Sequence, residues 1–171
     1  MSKILRYAAV GVAMSALGLA STANAATSDT ADVTAEILTA LSVTVDPTDN
    51  TLDFGQIAPG ASLANVAVAP DGSVTCDAAV ICSGTTDAPT FDVVGSANAL
   101  VYITFTNASE TLSNGTDTMS VGSFTTDQAS DQLTLDGTGT GAFTVGGTLA
   151  VGASQAAGVY TGTLEVNVAY N

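Results

Sequence analysis

The groups in this chain best able to do chemistry are its aspartates. Asp46, Asp49, Asp71, Asp87, Asp127, Asp131 and Asp136 all stand in stretches rich in turn-forming residues. Two carboxyl groups about 5–10 Å apart suffice for glycoside hydrolysis, and clustered carboxylate oxygens suit Ca²⁺. Asp46, Asp49 and Asn50 share one turn, and Asp127 and Asp131 share another, so Ca²⁺ is the one cofactor the sequence leaves open. No D-x-D-x-D-G loop accompanies them. Hydrolysis is the weaker use: the chain has no Trp to stack a sugar, and turn capping by itself accounts for aspartates in such places.

Other motifs lead to plainer readings. Gly137, Gly139 and Ala142 satisfy G-x-G-x-x-A, but a dinucleotide site needs a parallel strand before the motif and a helix after it. Here Asp136 precedes it and a β-type pattern follows, which predicts a turn. Cys76 and Cys82 are the only cysteines, and there is no His, so a zinc site would lack ligands. The pair is expected to form a disulfide closing a short loop. Asn107 and Asn114 begin N-x-S/T triplets, a weak signal for glycosylation.

Charge excludes more than the motifs offer. The two cations, Lys3 and Arg6, both precede an uncharged apolar run over residues 7–20. Ala23-Asn24-Ala25 then supplies an A-x-A cleavage signal. This is the pattern of a signal peptide over residues 1–25, and the apolar run is shorter than the roughly 20 residues of a spanning helix. The expected product is exported, to the periplasm, cell surface or medium. Without the leader, the 16 carboxylates leave a formal charge of −16 and no cation on any side chain. Nucleic-acid binding, which needs Lys or Arg against phosphates, is excluded. Attraction to anionic lipid is excluded too, as are a His base, a Lys nucleophile and an Arg clamp. The expectation is a protein that is not an enzyme.

The elements that must carry these groups are strands. Apolar and polar residues alternate through the chain with turn residues between, and helical spacing is nearly absent. Strands are expected over residues 33–45, 63–69, 91–95 with 100–106 as a hairpin, 112–121 around the Asn114-Gly115 turn, 133–135, 143–151 and 159–170. This predicts one domain over residues 26–171, an all-β antiparallel sandwich of immunoglobulin-like kind.

The last strand carries Leu164, Val166, Val168 and Tyr170 on one face and Glu165, Asn167 and Ala169 on the other. Gly158 stands fourteenth from the end and Tyr170 is penultimate. This pairing resembles the C-terminal signature of pilins assembled by the chaperone–usher route. The resemblance implies a sandwich lacking one strand, with a groove filled first by a periplasmic chaperone and then by the N-terminal extension of a like subunit. On that reading, residues 26–41 offer a donor strand through Val33, Ala35, Ile37 and Leu41. Gly158, Leu164, Val166, Val168 and Tyr170 would mark the recipient edge. The same N-terminal stretch also reads as the first strand of its own sandwich.

A second resemblance covers more of the chain. LSVTVDPTDNTLDFGQIAPG, VAPDG, FDVVGSANALVYITF and GAFTVGGTLAVGASQAAGVYTGTLEVNVAY are together similar to DUF4402, a family of short secreted bacterial proteins with no assigned function. It implies a secreted β-sandwich in the style of pilins. One departure is the close cysteine pair, where many pilins bridge distant strands. The leading expectation is a pilin-like or fimbrial structural subunit assembling by strand addition. The alternative is a monomeric secreted module that binds carbohydrate or adheres with Ca²⁺.

Overall fold

A side chain of Val, Ile, Leu or Phe at every second position gives a strand one dry face, and the Thr, Ser and Asn between them keep the other face wet. The chain obeys this almost everywhere. A computed structural model describes residues 27–171; the expected signal peptide at 1–25 lies outside the described residues. Two units are distinguished, residues 1–35 and 36–171. The described part of the first, residues 27–35, contains no strand.

The second unit contains twelve strands: β1 (Ser42–Val45), β2 (Gln56–Ala58), β3 (Ala64–Val68), β4 (Val74–Cys76), β5 (Ile81–Ser83), β6 (Thr90–Val94), β7 (Leu100–Phe105), β8 (Ser109–Ser113), β9 (Thr118–Thr126), β10 (Gln132–Thr134), β11 (Thr140–Val151) and β12 (Val166–Tyr170). One turn of 3₁₀ helix, Ala129–Asp131, is the only helical element among the described residues. All strand pairs are antiparallel. The fold is therefore all-β and sandwich-like.

β11 is its spine. Its first part pairs with β6, from Thr140↔Val94 to Thr144↔Thr90. Its second part pairs with β3, from Gly147↔Val68 to Val151↔Ala64, and with β9. β1 extends this sheet beyond β6, β4 beyond β3, and β8 beyond β9. A second sheet has the order β10-β7-β12, and β2 pairs with β5 in a small third one. Each half of β11 anchors one apolar cluster. Leu149 and Val151 join Phe54, Val66, Val68 and Val121. Phe143 and Val145 join Val93, Val101, Ile103, Leu133, Leu135 and Val166. Phe124 packs against both.

Three local expectations change. Residues 91–95 and 100–106 do form strands, but β6 and β7 lie in different sheets and make no hairpin. Val93 and Val101 are fully buried in the same cluster, so the chain crosses over that core instead of turning back beside itself. The N-terminal alternation forms strand only from Ser42. The C-terminal strand begins at Val166; the only ladder contact before it is an isolated bridge between Thr161 and Ser113.

The expected disulfide between Cys76 and Cys82 is present. It ties β4 of the large sheet to β5 of the small one. Val80, inside its loop, is buried in the first cluster.

Candidate functional site

Hydrogen-bond direction defines one open edge. Thr106 N donates to Glu165 O, and Asn171 N donates to Leu100 O. Backbone groups alternate sides along an antiparallel strand. Glu165, Asn167, Ala169 and Asn171 therefore address β7, and the N–H and C=O groups of Val166, Val168 and Tyr170 point away from it. β12 ends its sheet, so that edge is open. The side chains of Leu164, Val166, Val168 and Tyr170 all face the second apolar cluster.

β1 presents a matching edge. Asp46 N donates to Thr90 O, and Thr44 is registered with Asp92. Ser42 and Thr44 thus face β6, while the backbone of Val43 and Val45 faces outward. Neither β1 nor β12 carries a Pro or a Lys, two of the residues that usually protect such edges.

Between Val45 and Leu164 the two edges border an apolar cleft of about 920 Å³. Leu52, Phe91, Leu112, Met119 and Phe124 line its interior. Residues 155–163 wall one side. That wall is built by glycine. A Cβ on Gly162 would lie 2.6 Å from Leu112 Cδ2 and 2.8 Å from Thr111 O, so only glycine lets the chain pass this close to β8. Thr161 N donates to Ser113 O, and Ser113 N to Thr161 O. Tyr160 Oη donates to Ala156 O at 2.9 Å and accepts from Gln155 Nε2 at 2.9 Å, which folds the wall onto itself.

At their other ends β1 and β12 come together. Thr39 N donates to Ser96 Oγ, Ser96 N donates to Tyr170 Oη, and Tyr170 Oη donates to Thr39 O, each at 2.7 Å. These bonds form a closed ring. Gly95 makes room for it: a Cβ there would lie 2.5 Å from Tyr170 Oη and 2.8 Å from Leu41 Cδ1.

The residues grouped in the sequence as strand-pairing separate here. Leu41, expected on the donor side, is partly buried against the chain's own second cluster. Ile37 is 91% exposed and lies outside any strand. Val33 and Ala35 belong to the first unit, are exposed and have no strand assignment. Leu164, Val166, Val168 and Tyr170 are brought together on β12 and just before it, while Gly158 lies in the wall against Asn114. Ser96 and the lining residues Leu52, Met119 and Phe124 had no signal in the sequence beyond their polarity.

The aspartates build turns. Asp46 Oδ1 accepts from Thr48 N and Oγ1, and Asp49 Oδ2 accepts from Thr90 Oγ1. Asp127 Oδ1 accepts from Thr144 N, and Asp131 Oδ1 from Thr126 Oγ1. Among the described residues no three His, Cys, Asp or Glu side chains are grouped to hold a metal ion. Asp136 closes the Gly-rich turn, accepting from the N–H and hydroxyl of both Thr140 and Thr138. The N–H of Thr140 is the largest of several bonds that hold its carboxyl well below the usual range. Thr48 and Ser73 hydroxyls lower Asp46 and Asp71 in the same way. No described helix is long and apolar enough to cross a membrane.

Fold and cleft together define an antiparallel, sandwich-like β domain with an apolar cleft between two open strand edges. The chain belongs to the family described as Domain of unknown function (DUF4402), which matches residues 41–170. No curated protein and no solved structure shows a significant match to it.

Proposed function

We propose that this chain is an exported, non-enzymatic structural subunit of a bacterial surface assembly, pilin-like or fimbrial, whose copies join by β-strand addition. Residues 27–38 of one copy supply the strand, with Val33, Ala35 and Ile37 on its apolar face. The cleft beside β12 of the next copy receives it. The observation that carries this reading is the pairing of an alternating segment without a strand of its own with an apolar cleft bordered by unpaired strand edges. A strand laid there gains backbone hydrogen bonds and buries apolar side chains in one step. Before assembly the same edge is open to strand pairing with any chain, which is the role of a periplasmic chaperone and usher.

Deleting residues 27–38 tests this. The truncated protein should stay folded and elute as a monomer, while the intact protein forms higher assemblies that electron microscopy resolves as fibres. Fibres from the truncated protein would contradict the proposal.

A second reading keeps the chain monomeric as a secreted binding or adhesin module for carbohydrate or, with Ca²⁺, a surface. The cleft volume favours it, since about 300–1,000 Å³ is usual for small-molecule sites. An intact protein that remains monomeric at high concentration and binds a glycan array would support this reading.

A further inference from the structure

The ring of Thr39, Ser96 and Tyr170 does more than β1 requires. β1 is already paired with β6 over four residues, and its Val43, with Leu41 just before it, packs on the second cluster. What the ring adds is a join between the outer strands of two sheets. It links Thr39, just before β1, to Tyr170 at the end of β12, through the Ser96 that follows β6. The cleft lies at the opposite ends of the same two strands, at Val45 and Leu164. The open side is therefore wide at one end and bolted shut at the other.

We infer that the ring is a stop that fixes how far the N-terminal segment of a second copy can run along β12, and so sets its register. This rests on the strand-addition reading above. The need for a stop comes from the donor itself. Val33, Ala35 and Ile37 are all apolar, so a slip of two residues keeps the dry face inward and costs little. Alternation specifies the face of a strand, and only weakly its position along the partner. A blocked end specifies position. Tyr170 Oη is fully committed, donating to Thr39 O and accepting from Ser96 N. An incoming strand must break the ring to pass it. Tyr170 and Ser96 act here as positioning residues: they bind the neighbour's side chains only through the place where they halt it.

Cross-linking reads the register directly. Both native cysteines are bound to one another and no described cysteine is free, so introduced thiols have no native competitor. One copy carries Leu164→Cys. A second, distinguished by a mass tag, carries Val33→Cys, Ala35→Cys or Ile37→Cys. With the ring intact, one donor position should cross-link about tenfold more than the other two, the ratio one lost hydrogen-bonded contact would give. Adding Tyr170→Phe to the Leu164→Cys copy removes two of the three bonds and should spread cross-links over at least two positions at comparable yield, with thermal melting confirming that the copy is folded. Ser96→Ala removes only the bond from Thr39 N, because Ser96 reaches Tyr170 through its backbone N–H; it should weaken the preference by a smaller factor and supplies the readout if Tyr170→Phe fails to fold. A preference that is undiminished in the folded ring variants overturns the stop. An absence of cross-links from every donor position with the ring intact overturns strand addition itself, a failure of a different kind.

Discussion

Phe91 stacks on Phe143 with ring centroids 5.4 Å apart and planes inclined by 13°. The pair joins the cleft to the core, because Phe91 lines the one and Phe143 is buried in the other. The two positions should therefore respond differently to truncation. Phe143→Ala empties a fully enclosed site and is expected to cost about 3–5 kcal/mol. Phe91→Ala, at a half-buried position, should cost less and act mainly on assembly. Urea unfolding of both variants, set beside their sedimentation, checks this ordering; equal losses of stability would count against it.

The Cys76–Cys82 bond closes a loop with a sequence separation of 6. Restricting so short a loop in the unfolded chain is worth about 2 kcal/mol. Replacing both cysteines by Ser should lower stability by that amount and leave the β11 sheet intact. Denaturant unfolding with and without reductant measures the difference in the native protein. A change near zero would mean that the buried Val80 holds the loop without help.

How much of this was legible in the sequence divides along a physical line. Alternation predicts the strands over residues 100–106 and 143–151 and the inward set Leu164, Val166, Val168 and Tyr170, because period two fixes which face is dry; β11 nevertheless starts at Thr140, inside the glycine-rich run expected as a turn. It does not say which sheet a strand joins. Val93 and Val101 have the same pattern whether they pair side by side or face one another across a core. The pattern also ran on through residues 158–165, where no strand forms. Gly158 and Gly162 fit the alternation there, yet they serve to bring the chain against Asn114 and Leu112. The cleft was invisible for the same reason: Leu52, Met119 and Phe124 are far apart in sequence and look like any other core residues.

Acid should weaken the fold through Asp136, Asp46 and Asp71. Each carboxyl titrates lower in the folded state than its ordinary value of 3.8. The folded state thus binds fewer protons, so the stabilisation is fully present above that ordinary value and is lost as pH falls through the folded one. Asp136→Asn isolates the effect. Its melting temperature should fall less steeply than that of the native protein below about pH 4. Parallel acid limbs for the two proteins would refute the role given to Asp136.

Salt should stabilise the domain. Residues 27–171 contain no Lys, Arg or His against 16 carboxylates, so self-repulsion is unrelieved by any side-chain cation. Raising ionic strength from about 0.01 to 0.15 M shortens the screening length from about 30 to 8 Å. The melting temperature is expected to climb over this range and then level off. A fall with added NaCl would mean that the carboxylates are held by cations specifically.

The central claim, that one copy's N-terminal segment fills another's cleft, is tested most directly by complementing two broken copies. One lacks residues 27–38 and can only receive; the other carries Met119→Glu in the cleft and can only donate. Each alone should sediment as a monomer, and an equimolar mixture should form a closed one-to-one pair that grows no further. A mixture that stays monomeric, or a single variant that still builds long assemblies, would contradict the account.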